Sequence, residues 1–218
     1  SIRNEDLIRF CGGGCTESML AGFSNVGSLD AGINLLLILD NVIKSNLSSA
    51  TDFEDFCETY LTEIRSVVET VKKEINNSRK ERAKYNPLPM RTLLIDDCID
   101  KGLEYNSGGA RYGWSIINFA GLINVIDALL AIRTLVFEKK KYKPEEIITL
   151  LQSNDSSFLR EVIGLRESFG KDMEDVNDFS HKISERIFSM TETGELVFGE
   201  GFLSASIQFR SQVDAGKH

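Results

Sequence analysis

The chain has 218 residues, of which 42% are hydrophobic and 27% are charged, and its formal net charge is −8. This length and composition are typical of one soluble globular domain with a sizeable core. The acidic balance disfavours nucleic acid as a partner, because phosphate binding requires a basic surface.

The first predicted helices follow a stretch of small residues. Residues 29–44 (LDAGINLLLILDNVIK) are predicted to form a short apolar helix, and a Ser/Asn turn follows. Asp52 is a suitable N-cap for a second helix from Phe53, in which apolar residues recur at helical spacing over some six turns. The opposite face is predicted to be solvent-exposed and carries Glu54, Glu58, Glu63, Glu69, Lys72 and Lys73.

The prolines in NPLPM (86–90) end that helix, and residues 91–101 are predicted to resume as a helix. The Gly-rich YNSGGARYG (105–113) predicts a tight turn into a short strand or loop, because it lacks the Gly-Lys-Ser/Thr of a phosphate-binding loop. The most apolar segment, 115–137, predicts a buried central helix. It contains Asn118, Asn124, Asp127 and Arg133, which are costly in lipid, so we expect no membrane span.

The remainder of the chain continues the helical pattern. Pro144 is suited to the first position of a helix, and two further helices are predicted near 156–168 and 172–190. Residues 201–210 alternate apolar and polar, which indicates a strand. The sequence therefore predicts a helix-rich α/β fold with two or three strands in a single domain.

The four cysteines favour reduced thiols rather than disulfides. Cys57 and Cys98 fall within predicted helices, and Cys11 and Cys15 lack the second Cys or His pair of a zinc site. We therefore expect no metal and, with no recognisable signal peptide, a cytoplasmic protein. His181 is the only histidine available to a Cys–His protease pair, and it lies in a charged helical segment.

Cys15 follows three glycines and precedes Glu17 by two residues. A thiolate nucleophile is disfavoured, because a nearby carboxylate raises a thiol pKa. Two other chemistries remain possible for Cys15, a redox pair with Cys11 and a sulfur radical. In an extended segment residues i and i+2 point the same way, so Cys15 and Glu17 could share a pocket as hydrogen-atom and proton carriers. The structural alternative is a buried cysteine in a turn, with Glu17 as a helix cap.

The segment GGGCTESM resembles the Gly-Cys-x-Glu cysteine loop of the glycyl radical enzymes, which include pyruvate formate-lyase and the diol and glycerol dehydratases. Four more segments resemble the family in the same order, so the resemblance covers essentially all 218 residues. They are SNVGSLDAGINLLLILDNVI, PLPMRTLLIDDCIDKGLEYNSGGARYG, GLINVIDALLAIRTLVFEKKKY and FLSASIQFRSQVDAGKH.

The resemblance implies a partial ten-stranded α/β barrel of the pyruvate formate-lyase type, wrapped by helices. Residues 1–218 would be one domain fragment, from the C-terminal half of that barrel domain. Cys15 would carry a thiyl radical that takes hydrogen from a small substrate, and Glu17 would be the acid/base. Asp30 lies within one residue of the position at which the dehydratases place a substrate-binding carboxylate.

Two departures from the family refine this expectation. Cys15 has no adjacent cysteine, so a dehydratase-like lyase fits better than pyruvate cleavage. The family's Arg-Val-x-Gly-Tyr glycine motif is absent, so the glycyl radical domain is expected to lie outside this sequence, and the chain is expected to be inactive alone.

The resemblance also implies partners outside this sequence. A radical S-adenosylmethionine activating enzyme would install the glycyl radical, no cofactor would be bound in this chain, and the full-length enzyme would be an anaerobic homodimer. The alternative function is a non-catalytic helical partner or scaffold module.

Overall fold

The structure is a computed structural model that describes residues 2–14 and 17–206. The chain divides into two compact units. The described residues of unit 1 are 2–14, 17–33, 67–119 and 188–206, and those of unit 2 are 34–66 and 120–187.

Helices make up most of the described chain. Their bounds are α1 Leu35–Asn46, α2 Phe53–Tyr85, α3 Pro89–Leu94, α4 Cys98–Lys101, α5 Leu122–Ile132, α6 Pro144–Gln152, α7 Ser156–Ile163 and α8 Glu174–Ser189. A π-helical segment, Arg133–Glu138, continues α5, and short 3₁₀ turns occupy Asn4–Arg9, Leu47–Ser49 and Tyr105–Ser107. Of these helices, none combines the length and the apolar character that a membrane span requires.

The strands of the described residues form two sheets. Strands β1 (Phe10–Gly12) and β2 (Ser18–Leu20) pair antiparallel. Strands β3 (Ser24–Asn34), β4 (Tyr112–Ala120) and β5 (Gly201–Ser206) form a sheet in that order, and β4 and β5 are parallel, with Trp114 opposite Gly201 and Phe119 opposite Ser206. The predicted strand at 201–210 is confirmed over 201–206, and its last four residues lie outside the described part of the chain.

Two helix predictions were wrong where strands run into helices. Residues 29–34 belong to β3. Helix α1 begins only at Leu35, because the Asn34 side chain caps it by accepting hydrogen bonds from the N–H groups of Leu36 and Leu37. The apolar segment 115–137 is not one helix. Its first six residues lie in β4, and Gly121, with a φ of +81°, provides the left-handed turn into α5.

The predicted helix at 91–101 is divided in two. Helix α3 ends at Leu94 and α4 begins at Cys98, because Asp97 between them adopts a φ of +71°. Its carboxylate accepts hydrogen bonds from Arg111 in this conformation. The predicted tight turn at 105–113 is confirmed, with Gly108 at a φ of +87°, and it leads into β4.

Helix α2 confirms the predicted cap and most of its buried stripe. The N–H of Asp55 donates to Asp52 Oδ1 at 2.9 Å. The prediction that Lys72 is solvent-exposed was wrong, because its side chain lies on the stripe with Val68 and Ile75 and is 5% exposed. Its ammonium group donates to the Met190 carbonyl at 2.7 Å and to Glu69 at 2.9 Å, which satisfies the buried charge.

Each unit has its own core. In unit 1 a cluster of Leu20, Tyr112, Trp114 and Ile116 joins β2 to β4. In unit 2 the inward side of α5 is fully buried, and the Tyr60 hydroxyl donates to the Leu35 carbonyl at 3.1 Å. Tyr60, from α2, thereby fixes the start of α1.

Candidate functional site

The cysteine loop connects the two strands of a small hairpin in unit 1. Phe10 lies opposite Leu20, and Gly12 lies opposite Ser18. The N–H of Gly13 donates to the carbonyl of Glu17 at 2.9 Å, which extends the pairing past the strands. Cys15 and Thr16 lie in the connection, outside the described residues. The role predicted for Cys15 therefore stays a prediction, whereas Glu17 can be placed.

The base of this hairpin is fixed to the start of β4. Asp6, which is 4% exposed, accepts from the Tyr112 hydroxyl at 2.6 Å and from Arg111 at 3.0 Å. Arg111 also pairs with Asp96 and with Asp97. The hydrogen bond from Tyr112 contributes most to holding the pKa of Asp6 below its usual value, and Arg111 contributes less. The segment that enters the hairpin is thus tied to β4.

Glu17 is half-buried, and its carboxylate lies over Gly14. A Cβ atom at Gly14 would overlap that carboxylate, so the glycine before Cys15 leaves room for the Glu17 side chain. Glu17 lines an open cleft of about 480 Å³, within the range of small-molecule sites. The cleft is lined by Gly13, Glu17, Met19, Ser24, Val26, Ser28, Arg91, Leu94, Ile95 and Tyr105.

Arg91 and Tyr105 are cleft residues that the sequence reasoning missed. Arg91 is in the first turn of α3, and its guanidinium carbon lies 5.5 Å from the centre of the Tyr105 ring. The sequence does single out Arg91 as a candidate binding residue, because it is the only positively charged residue between Lys84 and Lys101. No local pattern around Tyr105 separates it from the other residues of the Gly-rich turn.

Asp30 lies in a buried ion-pair cluster and is not among the residues that line the cleft. Its side chain is 8% exposed and accepts from Arg82 at 2.9 Å and from the Ser115 hydroxyl. Arg79 lies 3.8 Å away and also donates to Ser115 and to the carbonyls of Val197 and Phe198. Burial lowers the pKa of Arg79, and the Asp30 charge opposes that shift. The substrate-binding role of Asp30 stays a prediction.

The three cysteines that the structure describes are all partly or fully buried. Cys57 and Cys98 are buried, and Cys11 is half-buried on β1, opposite Met19. Burial raises the pKa of Cys57 to about 12 and also raises that of Cys98. Neither is suited to act as a thiolate. Within residues 2–14 and 17–206, no group of three or more His, Cys, Asp or Glu side chains is arranged to hold a metal ion.

A family described as pyruvate formate lyase-like matches residues 2–216 of the chain. Among curated proteins, the chain is 34% identical over 110 residues to trans-4-hydroxy-L-proline dehydratase of Clostridioides difficile, covering 49% of this chain and 13% of that protein. It is 28% identical over 142 residues to isethionate sulfite-lyase of Bilophila wadsworthia, covering 62% of this chain and 17% of that protein. The chain therefore spans less than a fifth of each of these relatives.

Solved structures show the same fold. The glycerol-bound B12-independent glycerol dehydratase from Clostridium butyricum superposes with a TM-score of 0.84 at 22% identity, over 93% of this chain and 28% of that one. A glycyl radical enzyme from Archaeoglobus fulgidus superposes with a TM-score of 0.78 at 20% identity, over 94% of this chain and 28% of that one. The predicted helix-rich α/β fold of the pyruvate formate-lyase type is therefore confirmed for this part of the barrel.

Proposed function

The chain belongs to the pyruvate formate lyase-like family, and from this premise we propose that it is the part of a glycyl radical dehydratase that carries the hydrogen-abstracting cysteine. In this proposal Cys15 holds a thiyl radical and Glu17 is the acid/base. The observation that carries the proposal is the position of Glu17, which is half-buried at a cleft of about 480 Å³ and two residues after Cys15.

The comparisons support dehydration over formate-lyase chemistry. The similar proteins include a hydroxyproline dehydratase and a sulfopropanediol dehydratase, the latter from Klebsiella oxytoca. Cys15 lies between Gly14 and Thr16, so the sequence has no second cysteine beside it to carry an acetyl group. We therefore assign elimination of water from a small hydroxylated substrate.

We further propose that these residues act within a longer enzyme. Both curated relatives described above are several times longer than the part that this chain matches. The glycyl radical would lie on another segment, would be installed by a radical S-adenosylmethionine activating enzyme and would supply the unpaired electron. The complete enzyme would be a cytoplasmic homodimer in an anaerobic cell.

The reaction divides between the two residues of this chain. The Cys15 sulfur radical takes a hydrogen atom from a hydroxyl-bearing carbon, which leaves a thiol and a carbon radical. The Glu17 carboxylate accepts the proton of that hydroxyl and passes it to the hydroxyl on the neighbouring carbon. The C–O bond breaks, its electron pair stays on the departing oxygen, and water leaves. The product radical then takes the hydrogen atom back from Cys15, so the sum is one carbonyl product and water.

A cysteine substitution in the complete gene product tests this proposal. We expect Cys15→Ala to abolish turnover while the glycyl radical, measured by electron paramagnetic resonance after activation, still forms. Cys11→Ala is the matched control, and we expect it to retain turnover. Retained turnover in Cys15→Ala would overturn the role of Cys15. Equal loss in both variants would instead favour a Cys11–Cys15 redox pair.

A further inference from the structure

The cleft beside Glu17 contains a cation that the proposed proton transfer does not use. Arg91 lines this cleft together with Glu17, Ser28 and Tyr105. An arginine presents five N–H donors in a planar fork that matches the oxygens of an acid group. A carboxylate for proton transfer and a guanidinium group therefore border the same small-molecule-sized space.

Hydrogen bonds within unit 1 fix the helix that carries Arg91 and the aromatic ring beside it. Its helix, α3, begins at Pro89, and the N–H of Leu88 donates to Glu104 Oε1 at 2.6 Å. The Tyr105 ring beneath Arg91 is 7% exposed. The N–H of Tyr105 donates to Thr92 Oγ1 at 3.1 Å, and the carbonyl of Tyr105 accepts from Asn25 at 3.0 Å. Arg91 is itself exposed, and its guanidinium group lies over this buried ring, within the distance of a cation–π contact.

The positive charge of Arg91 is not balanced by an ion pair within the described part of the chain. Among those residues Arg79, Arg82 and Arg111 each pair with a carboxylate, whereas no ion pair includes Arg91. Its aromatic neighbour does not compensate the charge, because burial raises the pKa of Tyr105 and keeps the phenol neutral. A guanidinium group that lines a cleft without a carboxylate partner is suited to an anionic ligand.

We propose that Arg91 binds the acid group, a carboxylate or a sulfonate, of a small hydroxylated substrate whose hydroxyl groups lie beside Glu17. This inference rests on the proposed function for the reaction, but the anion site itself follows from the cleft. Ser28, half-buried in the same lining, adds a hydroxyl next to the polar part of the substrate. Met19, Val26 and Leu94 supply the apolar surface against its carbon atoms.

Equilibrium binding to the complete gene product, without activation, tests the site independently of radical chemistry. The probes are glycerol, glycerate and 2,3-dihydroxypropane-1-sulfonate, which are neutral, carboxylate and sulfonate members of a matched set. We expect at least one acid to bind about tenfold more tightly than glycerol, the effect of one charge-assisted hydrogen-bond pair. The preferred acid identifies the anion as carboxylate or sulfonate.

Arg91→Gln should remove this preference and leave glycerol binding unchanged. Lys80→Gln is the matched control, because it removes one positive charge from an exposed position of unit 1 outside the cleft lining. Equal binding of acids and glycerol by the unaltered protein would overturn the inference. Equal weakening by Arg91→Gln and Lys80→Gln would also overturn it, as would failure of all three probes to bind.

Substrate hydrogen exchange in the activated enzyme separates this inference from the proposed function. If the reaction assignment is wrong, no variant will exchange hydrogen into any of the three probes, whatever their affinities. If only the anion site is wrong, exchange will occur and Arg91→Gln will keep the KM of the unaltered enzyme for the acid. A rise of about tenfold in that KM, with kcat nearly unchanged, is the result expected of a residue that binds the acid group uniformly.

Discussion

Glu17 and Asp30 are both carboxylates with a predicted role at the substrate, but unit 1 gives them opposite surroundings. The oxygens of Asp30 are occupied by Arg82 and Ser115, with Arg79 close by. Glu17 borders an open cleft and lies over Gly14. A carboxylate enclosed by guanidinium groups stabilises the fold around it, whereas a carboxylate at a cleft can meet a substrate hydroxyl.

This difference predicts that substitutions of the two residues separate activity from stability. Removing the Glu17 charge should affect the reaction first, because its carboxylate lies at the cleft. Removing the Asp30 charge should affect folding first, because Arg79 joins it to Ser115 of β4 and to the Val197 carbonyl before β5. Substitutions of these and two further carboxylates test this separation.

The largest effect is expected for Glu17→Gln. Loss of a general acid/base should lower the rate of dehydration by roughly 10²- to 10⁴-fold in the activated enzyme. Hydrogen exchange between substrate and solvent should persist, because that step needs only Cys15. Product formation and deuterium incorporation measure the two steps separately. Glu74→Gln, at an exposed position of α2, is the control and should retain both activities. Survival of full dehydration in Glu17→Gln would show that another group moves the proton.

Asp30→Asn should lower the free energy of unfolding by about 3 to 5 kcal/mol, because it leaves two buried or half-buried arginines without their carboxylate. Urea denaturation measures this change. Asp100→Asn, at an exposed position of α4, should change the free energy of unfolding by less than about 0.5 kcal/mol. If Asp30→Asn keeps its stability and instead raises the KM for substrate, Asp30 binds the substrate as the resemblance implied.

The sequence predicted most helices because their signals are local. The cap at Asp52, the periodic apolar residues of α2 and Pro144 at the start of α6 are all read within one or two turns. A short strand or loop was expected after the Gly-rich turn, but residues 115–120 of β4 were assigned to a helix because all nine residues of the strand are buried, so it has no alternating pattern. A continuous apolar run does not separate a central strand from a buried helix, and only Gly121 marked the boundary.

The candidate site was predictable only in part. The roles of Cys15 and Glu17 were expected from the three glycines, the spacing of two residues and the resemblance to the glycyl radical enzyme loop, and they stay predictions because Cys15 lies outside the described residues. The partners of Asp30 come from α2 and β4, which are distant in sequence, so neither its burial nor its ion pairs could be read locally. Arg91 and Tyr105 reach the cleft from a helix and a turn far from the hairpin, and their proximity to Glu17 depends on how unit 1 folds.

A third carboxylate, Asp6, is expected to stabilise the fold in a way that depends on pH. Its pKa is lower in the folded chain than its usual value of 3.8, through Tyr112 and then Arg111. A depressed folded-state pKa contributes stability above the unfolded pKa, and this contribution is lost as the pH falls through the folded pKa. Asp6→Asn should therefore destabilise the protein at pH 7, by less than Asp30→Asn, because Asp6 shares its arginine with Asp96 and Asp97.

Urea denaturation at pH 7, 5 and 3 measures this pH dependence. The difference between the unaltered protein and Asp6→Asn should be constant from pH 7 to 5 and should shrink below about pH 4. The exposed Asp100→Asn variant should show no such change. A difference that stays the same at pH 3 would mean that Asp6 stabilises the hairpin base through hydrogen-bond geometry rather than through its charge.

The smallest effect is expected for Asp52, a carboxylate that interacts only with its own helix end. Its side chain accepts from the N–H of Asp55 at 2.9 Å, and its exposed position gives it no buried partner to lose. Asp52→Ala should lower the free energy of unfolding by about 1 kcal/mol, and Asp52→Ser should restore most of it, because serine is an equally good N-cap. Urea denaturation of both variants measures these changes. If Asp52→Ala lowers the free energy of unfolding as much as Asp30→Asn does, then burial and ion pairing do not determine how much each carboxylate stabilises the fold, and Asp30 contributes no more than an exposed helix cap.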